Sequence, residues 1–116
     1  MEVEDIKEII EKNPLALATI KEGKPYVIAV AYVKVKDGKI IITNNYMKTT
    51  VENIKNNKDI SLAVWNKKWE GDQLNGEAEH YDSGKYLEFV KSLEENKNES
   101  PKGAIVVKIN EIKKLA

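Results

Sequence analysis

Met47-Lys48-Thr49-Thr50-Val51-Glu52-Asn53 is the stretch where residue types and spacing converge on a chemistry. If a helix begins here, a lysine, two threonine hydroxyls and the helix's unpaired first N–H groups lie together. A helix start carries a partial positive charge and free donors, so it suits an anion, a phosphate above all. The same residues also fit a self-contained cap. Thr49 and Glu52 have the spacing of a capping box, in which the two side chains serve the helix's own N–H groups. A glutamate in the first turn also opposes a bound phosphate unless it points away.

The rest of the chain offers little competing chemistry. It has no cysteine, which excludes thiol catalysis, disulfides and thiolate metal sites. His80 is the single histidine, so neither a metal centre nor a Ser-His pair has support. It alternates with Leu74, Gly76 and Ala78 and is expected as a hydrogen-bonded structural residue rather than a catalyst. No Gly-x-Gly-x-x-Gly, P-loop or His-Glu-x-x-His pattern occurs. All 19 basic residues are lysines. A phosphate would therefore be held by ammonium, hydroxyl and backbone N–H groups, without an arginine fork. Zero net charge argues against a nucleic-acid or anionic-membrane partner. The acidic start Met1-Glu2-Val3-Glu4-Asp5 lacks the order of a signal peptide, and no apolar run approaches a membrane span. The cytoplasm is the expected location.

The elements that position the Lys48 segment follow from periodicity. At 116 residues the chain is expected as a single domain over 1–116. Ile6, Ile9 and Ile10 predict a short amphipathic helix ending at Asn13-Pro14. Leu15 to Lys21 reads as a strand and Glu22-Gly23-Lys24-Pro25 as a turn. Tyr26 to Lys36 reads as one strand, with Val27, Ala29, Ala31, Val33 and Val35 on one face. Tyr26, Ile28, Val30 and Tyr32 form the other. That face turns polar at Lys34 and Lys36, so the first half of the strand is apolar on both sides and needs a second cover besides the core: a subunit, a helix or a flat ligand. Asp37-Gly38 marks a hairpin into a strand over Lys39 to Asn45. A helix over Thr49 to Asn57 follows, then strands over Ile60 to Trp65 and Leu74 to His80, with a polar loop from Asn66 to Asp72 between them. Asp82-Ser83 is placed to cap a helix running to about Glu95. A charged loop over Asn96 to Lys102, a strand over Ala104 to Ile109 and a polar tail complete the chain. About six strands and three short helices make the fold mainly β, closed or nearly closed into a barrel. Trp65 is expected as core at a strand end and Trp69 as an exposed or interface residue, though both could flank a flat ligand.

The order of segments resembles a known family. Leu15-Ala16-Leu17-Ala18-Thr19, Gly23-Lys24-Pro25, Val33 to Lys39, Lys48-Thr49-Thr50 with Asn53-Ile54-Lys55-Asn56-Asn57, Ile60-Ser61-Leu62 and Asn75-Gly76-Glu77-Ala78 are similar to the FMN-binding split-barrel family. This is the pyridoxamine-5′-phosphate-oxidase-like group, and its small microbial FMN-binding members match in size. The resemblance implies a six-stranded antiparallel split β-barrel and a homodimer with FMN in grooves at the interface. It implies a phosphate site at Lys48, Thr49 and Thr50, with Asn53 in the helix. Ring and ribityl contacts would come from Ile28, Ala29, Val30, Thr43, Asn44 and Asn45. The function implied is an FMN-binding oxidoreductase or electron carrier whose redox partner is unspecified. The alternative is a flavin-free split barrel serving as an interaction module or binding haem or a deazaflavin. The substrate-binding arginine and histidine of true pyridoxamine-phosphate oxidases have no counterpart near the C-terminus, so that reaction is not assigned, and no side chain is assigned as catalytic.

Overall fold

The computed structural model describes residues 1–115. Seven strands form one antiparallel sheet: β1 Leu15–Lys21, β2 Lys24–Val30, β3 Val33–Lys36, β4 Lys39–Asn44, β5 Asp59–Trp65, β6 Gly71–Tyr81 and β7 Gly103–Lys114. The helices are α1 Lys7–Lys12, α2 Lys48–Asn56 and α3 Lys85–Lys91, with 3-10 turns at Val3–Ile6 and Glu94–Asn96. The sheet order is β2-β1-β5-β6-β7-β4-β3. Leu17, Val30, Val33, Ile42, Leu74 and Val107, drawn from across that order, pack into one core, so the sheet curls around it. Ile54 on α2 and Ile10 on α1 join the same core.

Splitting of the strand expected over Tyr26 to Lys36 changes the count from six to seven. Its first half pairs with β1 (Ala29 opposite Ala16, Val27 opposite Ala18) and its second with β4 (Val33 opposite Ile42). These are opposite edges of the curled sheet, and one straight strand cannot serve both. The chain breaks at Ala31-Tyr32, where Tyr32 O accepts the Thr43 N–H at 3.0 Å. The barrel is therefore unclosed: its two edge strands are joined by two residues of chain rather than by a ladder. The break also changes which residues face inward. Val30 and Val33 are both buried although three apart, so the inward set shifts from Tyr26, Ile28 and Val30 to Val33 and Val35. Val27, Ala29 and Ala31 are consequently exposed instead of sharing a face with Val33 and Val35.

Three further expectations are corrected. The polar tail is strand: β7 runs to Lys114 and pairs with β6 along its length, with a register shift at Asn75/Gly76. A Cβ at Gly76 would stand 2.1 Å from Lys108 O, so this crossing needs glycine. Most of the Asn66–Asp72 loop shrinks to a tight turn, because β6 begins at Gly71. Asp82 and Ser83 do not cap α3. The chain swings through Gly84 at φ 85°, the helix starts at Lys85 without a side-chain cap, and it stops at Lys91. α3 lays Leu87 and Val90 on Ile41, Ala104 and Val106, a second apolar cluster on the outside of the sheet.

Candidate functional site

α2 begins at Lys48, and Met47 at its N-cap position supplies no side-chain cap. The capping box open to Thr49 and Glu52 is not formed. Glu52 lies beyond the first turn, which holds no acidic residue. Val51 N–H is the first to bond back, to Met47 O at 3.0 Å. The N–H groups of Lys48, Thr49 and Thr50 precede it and have no acceptor within the helix.

This helix start opens into a cleft of about 440 Å³ lined by Asn44, Tyr46, Met47, Lys48, Val51, Glu52, Lys55 and Lys102. Three ammonium groups against one carboxylate make it electropositive. Lys48, Glu52 and Lys55 lie on one helix face, at the spacings that bring side chains together. Lys102 arrives from the far end of the chain, because β4 pairs with β7 and sets Asn44 opposite Gly103. The Lys102 N–H donates to Asn44 O at 2.8 Å, and its ammonium sits 5.6 Å from the Tyr46 ring centre.

Asn44 holds the turn into α2. Its Oδ1 accepts the Met47 N–H at 2.8 Å, and its Nδ2 faces His80 Nε2 at 3.0 Å. Asn44 is 5% exposed. His80 is half-buried at the end of β6, and its pKa lies below the ordinary value. Burial disfavours the charged ring and Lys55 repels it, while Asp82 acts the other way. The imidazole also presses on β7: a Cβ at Gly103 would stand 2.3 Å from Nε2. The structural role expected of His80 is thus present as a hydrogen bond to Asn44.

The residues singled out from sequence divide into four groups. Asn44 and Lys48 line the cleft. Thr43, Thr50 and Asn53 are buried. Asn53 Nδ2 donates to Thr19 Oγ1 at 3.0 Å, and Thr43 Oγ1 accepts Asn96 Nδ2 at 3.0 Å. Their side chains brace α2 and β4. Thr49 and Asn45 are half-buried beside the cleft, and Asn45 Oδ1 is buried without a partner. Ile28 and Val30 point into the barrel while Ala29 points out, so the trio does not present one side-chain surface. Sequence reasoning missed Tyr46, Lys55 and Lys102. Helical spacing from Lys48 could have found Lys55. Only the register of the last strand could have found Lys102. Trp65 is half-buried, and Trp69 is 80% exposed at the β5–β6 turn.

The outer face of β1, β2 and β5 is a shelf of small side chains. Ala29, Ala16 and Ala63 lie abreast, and Val27, Ala18 and Ser61 lie abreast in the next row. Val27 is 64% exposed. β2 is also a sheet edge, with one side of its backbone unpaired by the sheet, and it runs into the Ala31-Tyr32 break beside Thr43.

Comparison with known proteins agrees with this fold. A family model described as pyridoxamine 5′-phosphate oxidase matches residues 3–116. A protein of Methanocaldococcus jannaschii is 35% identical over 118 residues, covering 97% of this chain and 79% of that protein. The crystal structure of HupZ from Group A Streptococcus superposes with a TM-score of 0.88 at 24% identity, over 99% of this chain and 94% of that one. That of an FMN-binding protein from Syntrophomonas wolfei gives 0.78 at 17%, over 97% and 85%. At such identities the structures establish the fold. The family match runs through every strand and through the α2 start, and with it the chain belongs to the pyridoxamine 5′-phosphate oxidase family of split barrels.

Proposed function

We propose that this protein binds FMN between two copies of the chain and works as a flavin-dependent oxidoreductase or electron carrier. The observation that carries the reading is the uncapped start of α2 opening into a cleft with Lys48, Lys55 and Lys102. Free N–H donors and three ammonium groups suit a dianionic phosphate, and the cleft volume falls in the range of small-molecule sites. Lys55 and Lys102 answer the absence of arginine: charge is supplied by number rather than by a bidentate fork.

The ring fits what lies beside that start. Exposed Val27, Ala29 and Ala31 are small or flat, and the β2 edge offers backbone N–H and C=O groups to a planar heterocycle. Such an edge with an apolar outer face also calls for a cover, which a second copy would supply. When bound, FMN supplies the electron or hydride transfer. The chain's residues bind the phosphate, seat the ring and shield one face of it. His80 is engaged by Asn44 and is not assigned a proton-transfer role. Among the described residues no cluster fit to hold a metal ion occurs, and no helix is long and apolar enough to cross a membrane. We place the protein in the cytoplasm.

The test is the visible spectrum of the purified protein, followed by titration of the apoprotein with FMN. A flavin spectrum, bleached by a nicotinamide or chemical reductant, is the expected result. A Soret band or a deazaflavin spectrum, with no FMN binding, overturns the reading in favour of the flavin-free alternative. Removing the Lys48 ammonium in Lys48→Ala weakens FMN binding about tenfold.

A further inference from the structure

The start of α2 hangs on a relay of two hydrogen bonds. The Met47 N–H can only donate, so the Asn44 group facing it at 2.8 Å is the oxygen. The other end of the amide is then the NH₂, also a donor, and it faces His80 Nε2 at 3.0 Å. His80 must accept there, so Nε2 carries no hydrogen and a neutral ring bears its proton on Nδ1. Protonating the imidazole would set two donors against each other. Asn44 cannot resolve this by turning over, because its oxygen would then leave the Met47 N–H and its NH₂ would face that N–H. Nor can the ring simply retreat into β7, where Gly103 already lies in contact with it.

We infer that His80 is a positioning residue for the ligand cleft: acting through Asn44, it fixes the first turn of α2 while its Nε2 is unprotonated and releases that turn when Nε2 takes a proton. The inference rests on the cleft being the phosphate site proposed above. Charges around the ring are arranged on both sides of the question. Lys55 of α2 opposes protonation and Asp82, just beyond β6, favours it. Asn44 of β4 and Gly103 of β7 bring no charge, while Lys48, Glu52 and Lys102 surround the same cleft. A protonated His80 adds a positive charge that would by itself attract phosphate. Loss of the relay acts against that attraction, and the two effects predict opposite responses to acid.

Two measurements decide the matter. In the wild-type protein without ligand, amide NMR across about pH 7.5 to 5.0 follows the His80 ring. The Met47 amide and the Asn44 side-chain NH₂ are expected to shift with the same midpoint as the ring, and exchange protection at Met47 to fall. Resonances that ignore the titration of His80 overturn the inference. The second measurement is FMN affinity over the same range for wild type and for His80→Gln, whose amide oxygen can accept from Asn44 at every pH. FMN's own phosphate titrates equally in both, so the difference belongs to His80. Wild type is expected to lose about fivefold more affinity than the variant, the scale of one cap hydrogen bond. Parallel curves, or a wild type that tightens in acid relative to the variant, overturn the inference. If FMN binds neither protein at any pH, the flavin reading falls, and the relay stands or falls on the Met47 shift alone.

Discussion

The sheet has two outward faces that the chain treats differently. On β4 and β7 the outward residues Ile41, Ala104 and Val106 are covered by Leu87 and Val90 of α3. On β1, β2 and β5 the outward residues are Ala16, Ala18, Ala29, Ala63 and Val27; among the described residues α3 lies on the other face, and α1 and α2 turn Ile10 and Ile54 into the barrel core. Where the chain supplies its own cover, Ile41 and Val106 flank one alanine; where it does not, alanines predominate and Val27 is the one larger side chain among those named. A helix over the second face would have filled the surface on which a planar ligand or a second copy could lie. One face is spent on stability, and the other is left to solvent by the chain itself.

The largest expected effect tests that division directly. Ile41 is 1% exposed, and Ile41→Ala removes buried methylene groups beneath α3. It is expected to lower the unfolding free energy by about 2–5 kcal/mol, read from urea denaturation. On the bare face, Ala18→Ser is expected to stay within about 0.5 kcal/mol. Comparable losses from both substitutions would mean that the second face is as structurally committed as the first.

A charge on the bare face sharpens the comparison. Ala29→Lys sets an ammonium on the edge strand of the shelf, where the chain alone gives it open solvent. If a second copy covers the face, self-association is expected to weaken by on the order of tenfold or more. Light scattering over a dilution series reads this directly. An unchanged association would move the dimer to another surface.

Much of this contrast was legible in the sequence, but not its handedness. Alternation found β1, β4 and β5, and Asp37-Gly38 found its hairpin. The apolar character of both faces between Tyr26 and Tyr32 marked a face beyond the core, and that face is exposed in the chain alone. Alternation could not show that the inward set changes at Ala31-Tyr32, because both halves of that strand remain apolar on the alternate positions. The break is imposed by the curl of the sheet, a property of pairing between residues far apart. Likewise the Lys48 segment was legible as a helix start, while its electrostatics were not. Thr49 and Glu52 spell a capping box, yet the helix begins one residue earlier than expected, at Lys48, and the cap never forms. Lys102 joins the cleft only through the pairing of β4 with β7. The helix expected from an Asp82-Ser83 cap to about Glu95 is present as the shorter α3, Lys85–Lys91, and it starts late because Gly84 takes a positive φ and turns the chain first.

Lysines allow a smaller and more local version of the same test. Lys48 lines the cleft, whereas Lys58 pairs with Glu79 at 3.1 Å on the outer surface. Lys48→Ala is expected to weaken FMN binding about tenfold, and Lys58→Ala to leave it within about twofold, since exposed ion pairs contribute little. Equal losses from the two would indicate a diffuse attraction to surface charge and no defined phosphate seat.

The smallest effect comes from two neighbours on β6 that face opposite ways. His80 turns toward Asn44 and the cleft, while Glu79 turns outward to Tyr81 Oη at 2.8 Å and Lys58. The Tyr81 hydroxyl, then Lys58, holds the Glu79 carboxyl below its usual range. Burial, then Lys55, holds His80 below its own. Both groups therefore take a proton more readily in the unfolded chain, and both shed stability as pH falls, but in different windows. The His80 contribution is full above about pH 6.5 and declines as acid carries the pH down through its folded value. The Glu79 contribution is full above about pH 4.3 and declines below it. Urea midpoints for His80→Gln should thus flatten relative to wild type in the upper window and run parallel to it in the lower. Tyr81→Phe should do the reverse. A His80→Gln curve parallel to wild type throughout would place the imidazole's proton outside the fold's energetics.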